Sequence, residues 1–247
     1  MRVRTLLFLS TAICTAALGF SQVEGQPRKL KPLIILVETN PWLEVIGSDS
    51  PSFALYEKGE VIFLRQDSGY LSVRLDENER KSLIDSLSLG KKFYELHDYY
   101  EVFRRTDQPT TMLYVRDEDK TKKIAVYGRI RGDAPARSKT PQAFLKVFDK
   151  LVSYQNSRAT PWMPEKIEVM VWPFDHSRAE PLPWPKSWPD VNDPTTKRMS
   201  QQGYSIYLDS RYFDDLRRLL ATLKEGQAVL INGKKWAISY RFPFPHE

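Results

Sequence analysis

Read for its alternation of apolar and polar positions, the chain divides into short strands, a few helices and turn-forming punctuation. Residues 33–37 (Leu-Ile-Ile-Leu-Val) form an apolar run of strand length. Residues 53–57 and 61–65 flank Lys58-Gly59-Glu60, which predicts a hairpin whose glycine supplies positive φ. Asp67-Ser68-Gly69 is a second turn. It leads into a half-buried strand over 70–75, where Leu71, Val73 and Leu75 alternate with Ser72 and Arg74. Asp76 followed by Glu79 predicts a capping box, and Leu83, Ile84 and Leu87 share one face of the helix it starts. Gly90 is placed to end that helix. An aromatic stretch follows (Phe93, Tyr94, Tyr99, Tyr100, Phe103), then a strand pair over 112–115 and 124–127 across a charged turn.

Residues 128–139 read as a loop leading to Thr140-Pro141, a cap with proline in the first helical turn. Phe144, Val147, Phe148, Leu151 and Val152 then form an apolar stripe at helical spacing. The polar stretch 155–164 reads as a boundary. Residues 167–171 alternate as a strand. The segment 172–194 holds six prolines and three tryptophans, which excludes an internal helix or a central strand and predicts an extended crossing. Structure resumes as a strand over 204–208. A helix capped by Asp209 or Ser210 follows, carrying Phe213, Leu216, Leu219, Leu220 and Leu223 up to Gly226. The last element is a hairpin over 228–240, in which Asn232-Gly233 suits a type I′ turn.

Ser72-Val73-Arg74-Leu75-Asp76 lines up with Ser205-Ile206-Tyr207-Leu208-Asp209, and Leu83 and Leu87 match Leu216 and Leu220 at the same offset. Both stretches run strand, Asp cap, helix, glycine, strand pair. A duplicated β-α-β-β unit and a chance likeness of two amphipathic joints both account for the echo. Either way the order of elements predicts an α+β fold, with antiparallel sheets of hairpins and meanders and with helices on one face. The expected modules are an N-terminal one over 30–155 and a C-terminal one over 160–247 that contains the Pro/Trp crossing.

The first 25 residues speak to address. Arg2 and Arg4 precede an apolar run over 6–20, with small residues where a peptidase would cut, after Gly19 or Gly25. This order predicts a secretory signal peptide, and the run is shorter than the ~20 residues a membrane-spanning helix needs. The expected location is outside the cytoplasm, periplasmic or secreted. The single cysteine, Cys14, lies inside this leader, preceded by Ile13 where lipidation wants a small residue. A cleaved chain would therefore have no disulfide, no thiolate zinc ligand and no cysteine nucleophile. The chain carries +6, and the charge is local. Lys120, Lys122, Lys123, Arg129, Arg131, Arg137 and Lys139 face a single acidic residue, Asp133, in the window 120–139. That window reads either as a solvated edge or as a docking patch for an anionic polymer or envelope protein. No nucleic-acid-binding signature accompanies it.

Catalytic candidates are few. Asp175-His176-Ser177 has the letters of an acyl-transfer site, but triads assemble from separate segments and no Gly-x-Ser-x-Gly elbow occurs. The three histidines are scattered, and Asp190-Val191-Asn192-Asp193 lacks the glycine and distal glutamate of a calcium loop. No P-loop or dinucleotide fingerprint is present, so no cofactor, metal or catalytic residue is assigned. Arg131-Gly132-Asp133 is a short tripeptide in a basic turn. The tryptophans carry two readings. Trp172, Trp184 and Trp188, each followed by proline, either stack on a ligand or clamp a polyproline-like strap onto the surface.

Residues 52–155 resemble an uncharacterised domain of exported bacterial proteins. The resemblance rests on the 53–62 hairpin, the strand and helix over 70–87, Phe93 through Tyr100, Thr106-Asp107, the pair over 112–127, and 141–154. It implies a bacterial envelope setting and transfers no activity. The expected function is a non-catalytic binding or interaction protein. Its partner contacts would be made by Lys122, Lys123, Arg129, Arg131 and Arg137, or by Trp172, Trp184 and Trp188. The alternatives are a hydrolase of an envelope polymer, with carboxylates or His97 as acid and base, and a structural accessory subunit.

Overall fold

A computed structural model describes residues 29–247 apart from 44, 46, 118–119 and 200–202. The predicted leader, Cys14 and both cleavage points lie outside the described residues. The first part of the chain runs β1 (Pro32–Glu38), β2 (Phe53–Tyr56), β3 (Glu60–Arg65), β4 (Gly69–Arg74), α1 (Glu77–Ser86), α2 (Lys91–Tyr94), β5 (Tyr99–Glu101), β6 (Thr110–Asp117), β7 (Lys120–Tyr127), α3 (Ala134–Lys139), α4 (Gln142–Val152) and β8 (Thr160–Pro161). These strands form one sheet in the order β5-β7-β6-β1-β2-β3-β4-β8. Its pairs are antiparallel except β5–β7.

The second part runs β9 (Lys166–Pro173), β10 (Leu182–Pro183), β11 (Lys197–Arg198), β12 (Tyr204–Asp209), α5 (Phe213–Thr222), β13 (Val229–Ile231) and β14 (Lys234–Arg241). They form a second sheet, β10-β13-β14-β9-β12-β11, antiparallel except at the β10–β13 edge. The fold is α+β with two open sheets. No helix among the described residues is long and apolar enough to cross a membrane.

Local rules account for most elements. Asp76 accepts a hydrogen bond from the Glu79 N–H at 2.8 Å, and the Glu79 carboxylate accepts one from the Asp76 N–H at 2.9 Å, closing the capping box of α1. Asn232 and Gly233 both take positive φ (49° and 76°), the geometry of a type I′ turn. The α4 stripe buries Phe144, Val147, Phe148 and Leu151 against the inward residues Ile34, Leu36, Phe53, Leu55, Phe63, Leu113 and Val115 of the first sheet. In the second sheet α5 sets Leu216 against Ile167, Val169, Ile206 and Ile238.

Several readings change. α1 already ends at Ser86, and Gly90 precedes α2 instead of closing α1. The loop expected over 128–139 contains α3, capped by Asp133, which accepts from the Ala136 N–H at 2.8 Å. Thr140 ends α3 instead of starting α4, donating its hydroxyl to the Ala136 carbonyl. Only Ala136 of α3 is buried, so no apolar stripe advertised this helix. The aromatic stretch after Phe93 holds a parallel edge strand, β5, which local pattern does not signal. The two echoing units share strand, Asp cap, helix and hairpin, yet their hairpins join the sheets differently. β6, the first strand of its hairpin, is the inner one in the first sheet; in the second sheet it is β14, the second strand.

The sheets are joined by an aromatic plug. Helices cover one face of the first sheet. On the other face Phe244, near the end of the chain, sits over Ala54, Tyr56 and Ile62. Its ring lies 5.0 Å from Trp162 and 5.6 Å from Tyr70, both edge-on. Tyr56 is fully buried, and its hydroxyl lies 2.8 Å from Nδ1 of His246. Burial is the main reason that the Tyr56 phenol is held protonated well above its ordinary range, with Glu60 and Glu247 adding to it. The loop after β1 crosses to the second sheet as well. Ser48 and Ser239 hydroxyls meet at 2.7 Å, and the Phe242 N–H donates to the Ser50 hydroxyl.

Candidate functional site

The Pro/Trp crossing is a strap. Trp184 and Trp188 are each only 7% exposed, packed edge-to-face at 5.0 Å within the second core. The Trp184 indole N–H donates to the Pro189 carbonyl at 2.9 Å. A ring with no free face cannot stack on a ligand, so the ligand-stacking reading of Trp184 and Trp188 is corrected to clamping. Trp172 differs: it is 43% exposed on β9, directly opposite Ala237.

The basic window is not one patch. Lys120, Lys122 and Lys123 stand at the start of β7, and Arg129, Arg131 and Arg137 lie beyond its end, so Lys123 and Arg129 are separated by about 20 Å of extended chain. Carboxylates from distant segments claim three of these charges. Lys122 pairs with Asp98 at 2.7 Å, Arg131 with Glu38 at 2.5 Å, and Arg137 forks onto both oxygens of Asp149 at 3.0 and 2.7 Å. Lys123 lies over the Tyr114 ring. Arg129 is exposed and makes no ion pair among the described residues. The 131–133 tripeptide is likewise committed, Arg131 to Glu38 and Asp133 to the cap of α3.

Arg129 and Arg131 nevertheless line an open cleft of about 710 Å³ where β1 and β3 end and β6 begins. Three loops shape it. After β1, the Asn40 N–H is held by Asp49 at 2.9 Å, and the Asn40 side chain accepts from the Trp42 N–H at 3.0 Å. This Asx turn throws Trp42 outward, 73% exposed, at the rim of the cleft. Burial of the Asp49 carboxyl raises its pKa, opposed by that backbone hydrogen bond.

The loop after β5 brings Arg105 and Asp107, the latter in the left-handed region at φ 58°. It is stapled by Tyr127, whose hydroxyl donates to the Arg105 carbonyl and accepts from the Gln108 N–H. The close approach depends on Gly128, at φ 127°, because a Cβ there would sit 2.8 Å from Val102 and 2.9 Å from Phe103. The loop after β7 contributes Arg129 and Arg131.

Charged groups of both signs line the cleft. Glu38 is tied to Arg131, and Asp133 caps α3. Arg105, lying over the Phe103 ring, Arg129 and Asp107 have no ion-pair partner among the described residues. With the indole of Trp42 and the apolar Leu64, these groups offer stacking, guanidinium donors and a carboxylate acceptor. Neither Trp42 nor Arg105 is named from the sequence, and Asp107 enters there only within the resemblance, not as a site residue. A lone indole beside proline and an arginine in a polar loop carry no local signal; only the meeting of three loops makes them a site.

Histidines do not converge. His97 is exposed near Tyr100, His176 is exposed against Phe174, and His246 belongs to the aromatic plug. Among the described residues no three His, Cys, Asp or Glu side chains gather as a metal site. A second, apolar hollow of about 560 Å³ lies on the uncovered half of the first sheet, lined by Ile35, Val37, Met112, Tyr114 and Ala125. No protein-family model, curated protein or solved structure matches the chain.

Proposed function

We propose that this chain is an exported, non-catalytic binding protein of the bacterial envelope, and that its ligand site is the cleft where β1 and β3 end and β6 begins. One observation carries the reading. An outward-held indole, Trp42, shares an open cleft with two guanidinium groups, Arg105 and Arg129, that no carboxylate among the described residues neutralises. Exposed indoles and arginines free to pair are the side chains that dominate recognition. The order of charge, apolar run and small residues in the first 25 positions supports the exported setting.

Co-sedimentation with isolated envelope polymer is the test. The wild type is expected in the pellet and the Trp42→Ala, Arg129→Ala double variant in the supernatant, with far-UV dichroism unchanged. Equal pelleting of both, or none of the wild type, refutes the site. Release of new reducing ends from the polymer would replace the binding reading with the hydrolase.

A further inference from the structure

The charge pattern of this cleft also selects a ligand chemistry. Resting on the reading above that the cleft is the ligand site, we infer that it takes a carboxylated saccharide, a sugar chain bearing uronate-type acid groups.

The argument begins with what the walls hold. Three guanidinium groups (Arg105, Arg129, Arg131) face three carboxylates (Glu38, Asp107, Asp133), so the lining as a whole is close to neutral. Such a lining gives a densely charged polyphosphate or sulfated polymer no net attraction, because each cation it meets is offset by an anion. The uncommitted groups are fewer: two guanidinium forks, one carboxylate and one indole. A guanidinium matches a carboxylate in planar, two-toothed geometry. A carboxylate such as Asp107 has only acceptor oxygens and so suits sugar hydroxyl donors. The indole of Trp42 suits the apolar face of a pyranose ring. Asn40, Gln66 and Gln108 add amides that both donate and accept. Hydroxyls, one flat apolar face and a sparse carboxylate are the complement of this set. The volume of about 710 Å³ is of the size that takes a small-molecule ligand or a short stretch of chain.

Anchoring supports a preformed site. Arg131 is fixed by Glu38 at 3.1 and 2.5 Å, the 103–109 loop is stapled by Tyr127, and the loop carrying Trp42 is tied to the second sheet through Ser48 and Ser50. Ordering these loops on binding therefore costs little.

The experiment is affinity electrophoresis of the full chain against four polymers: polygalacturonate with most of its acid groups methyl-esterified, the fully esterified polymer, dextran sulfate and polyphosphate. The partly esterified polymer is expected to retard the protein most. Full esterification and Arg129→Ala should each weaken retardation about ten- to a hundred-fold, the weight of one charge-assisted hydrogen-bond pair. Arg129→Lys should restore only part of it, and Trp42→Ala should weaken binding of the partly and the fully esterified polymer alike. Tighter binding of dextran sulfate or polyphosphate, or equal binding of the partly and fully esterified polymers, overturns the carboxylate assignment. Should none of the four bind while envelope polymer still pellets the protein through Trp42 and Arg129, the assignment falls and the cleft reading stands. Loss of pelleting as well sinks both.

Discussion

Replacing Phe244 by alanine tests whether the two sheets stand or fall together. Phe244 is 2% exposed, and its ring fills the space over Ala54, Tyr56 and Ile62 of the first sheet while touching Tyr70 and Trp162. Truncation removes about 150 Å² of buried apolar surface, which at about 25 cal/mol per Å² amounts to ~4 kcal/mol. That agrees with the range of about 3–5 kcal/mol for Phe→Ala in a packed core. The loss is a large part of a domain's total stability. Urea unfolding should be followed by tryptophan fluorescence and by far-UV dichroism. Five of the six tryptophans lie after residue 160, so fluorescence weights the second sheet, whereas dichroism reports both. The expected outcome is one transition in each signal, both moved to lower urea by the same free energy with the slope unchanged. A loss below about 1 kcal/mol, or a shift in fluorescence while part of the dichroism transition stays in place, would refute the plug as the element that joins the sheets.

Two further outcomes follow from single contacts. His246 has its pKa lowered chiefly by burial, with Arg241 and Lys29 acting the same way and Glu247 opposing. A depressed folded pKa means the neutral ring is favoured in the native state, so its contribution is present above the ordinary histidine range and is lost as pH falls through the folded value. The urea midpoint should therefore decline on acidification from pH 7.5 to 5, more steeply in the wild type than in His246→Gln; identical slopes would contradict this. Gly59 lies at φ 82°, and an alanine Cβ there would sit 2.2 Å from the Leu75 carbonyl oxygen. Gly59→Ala should cost more than about 2 kcal/mol, whereas Gly69→Ala, at φ 74° with nothing within 4 Å, should cost only the ~1 kcal/mol of its left-handed backbone. Paired thermal melts would separate the two, and equal losses would refute the close approach.

The residue pattern by itself determined the features that depend on neighbours a few positions away. A capping box needs only Asp76 and Glu79, a type I′ turn only Asn232 and Gly233, and the α4 stripe only the helical period; each was legible because its energetics are local. The α+β class follows from the same short-range order. The tertiary structure alone decided which charges are spent, because Glu38, Asp98 and Asp149, the partners that divide the basic window, come from segments 12 to 93 positions away. It alone buried Trp184 and Trp188 while leaving Trp42 in solvent, although all three indoles adjoin proline in the chain. Burial and pairing are sums over contacts that fold topology creates, and no window of neighbouring residues contains them.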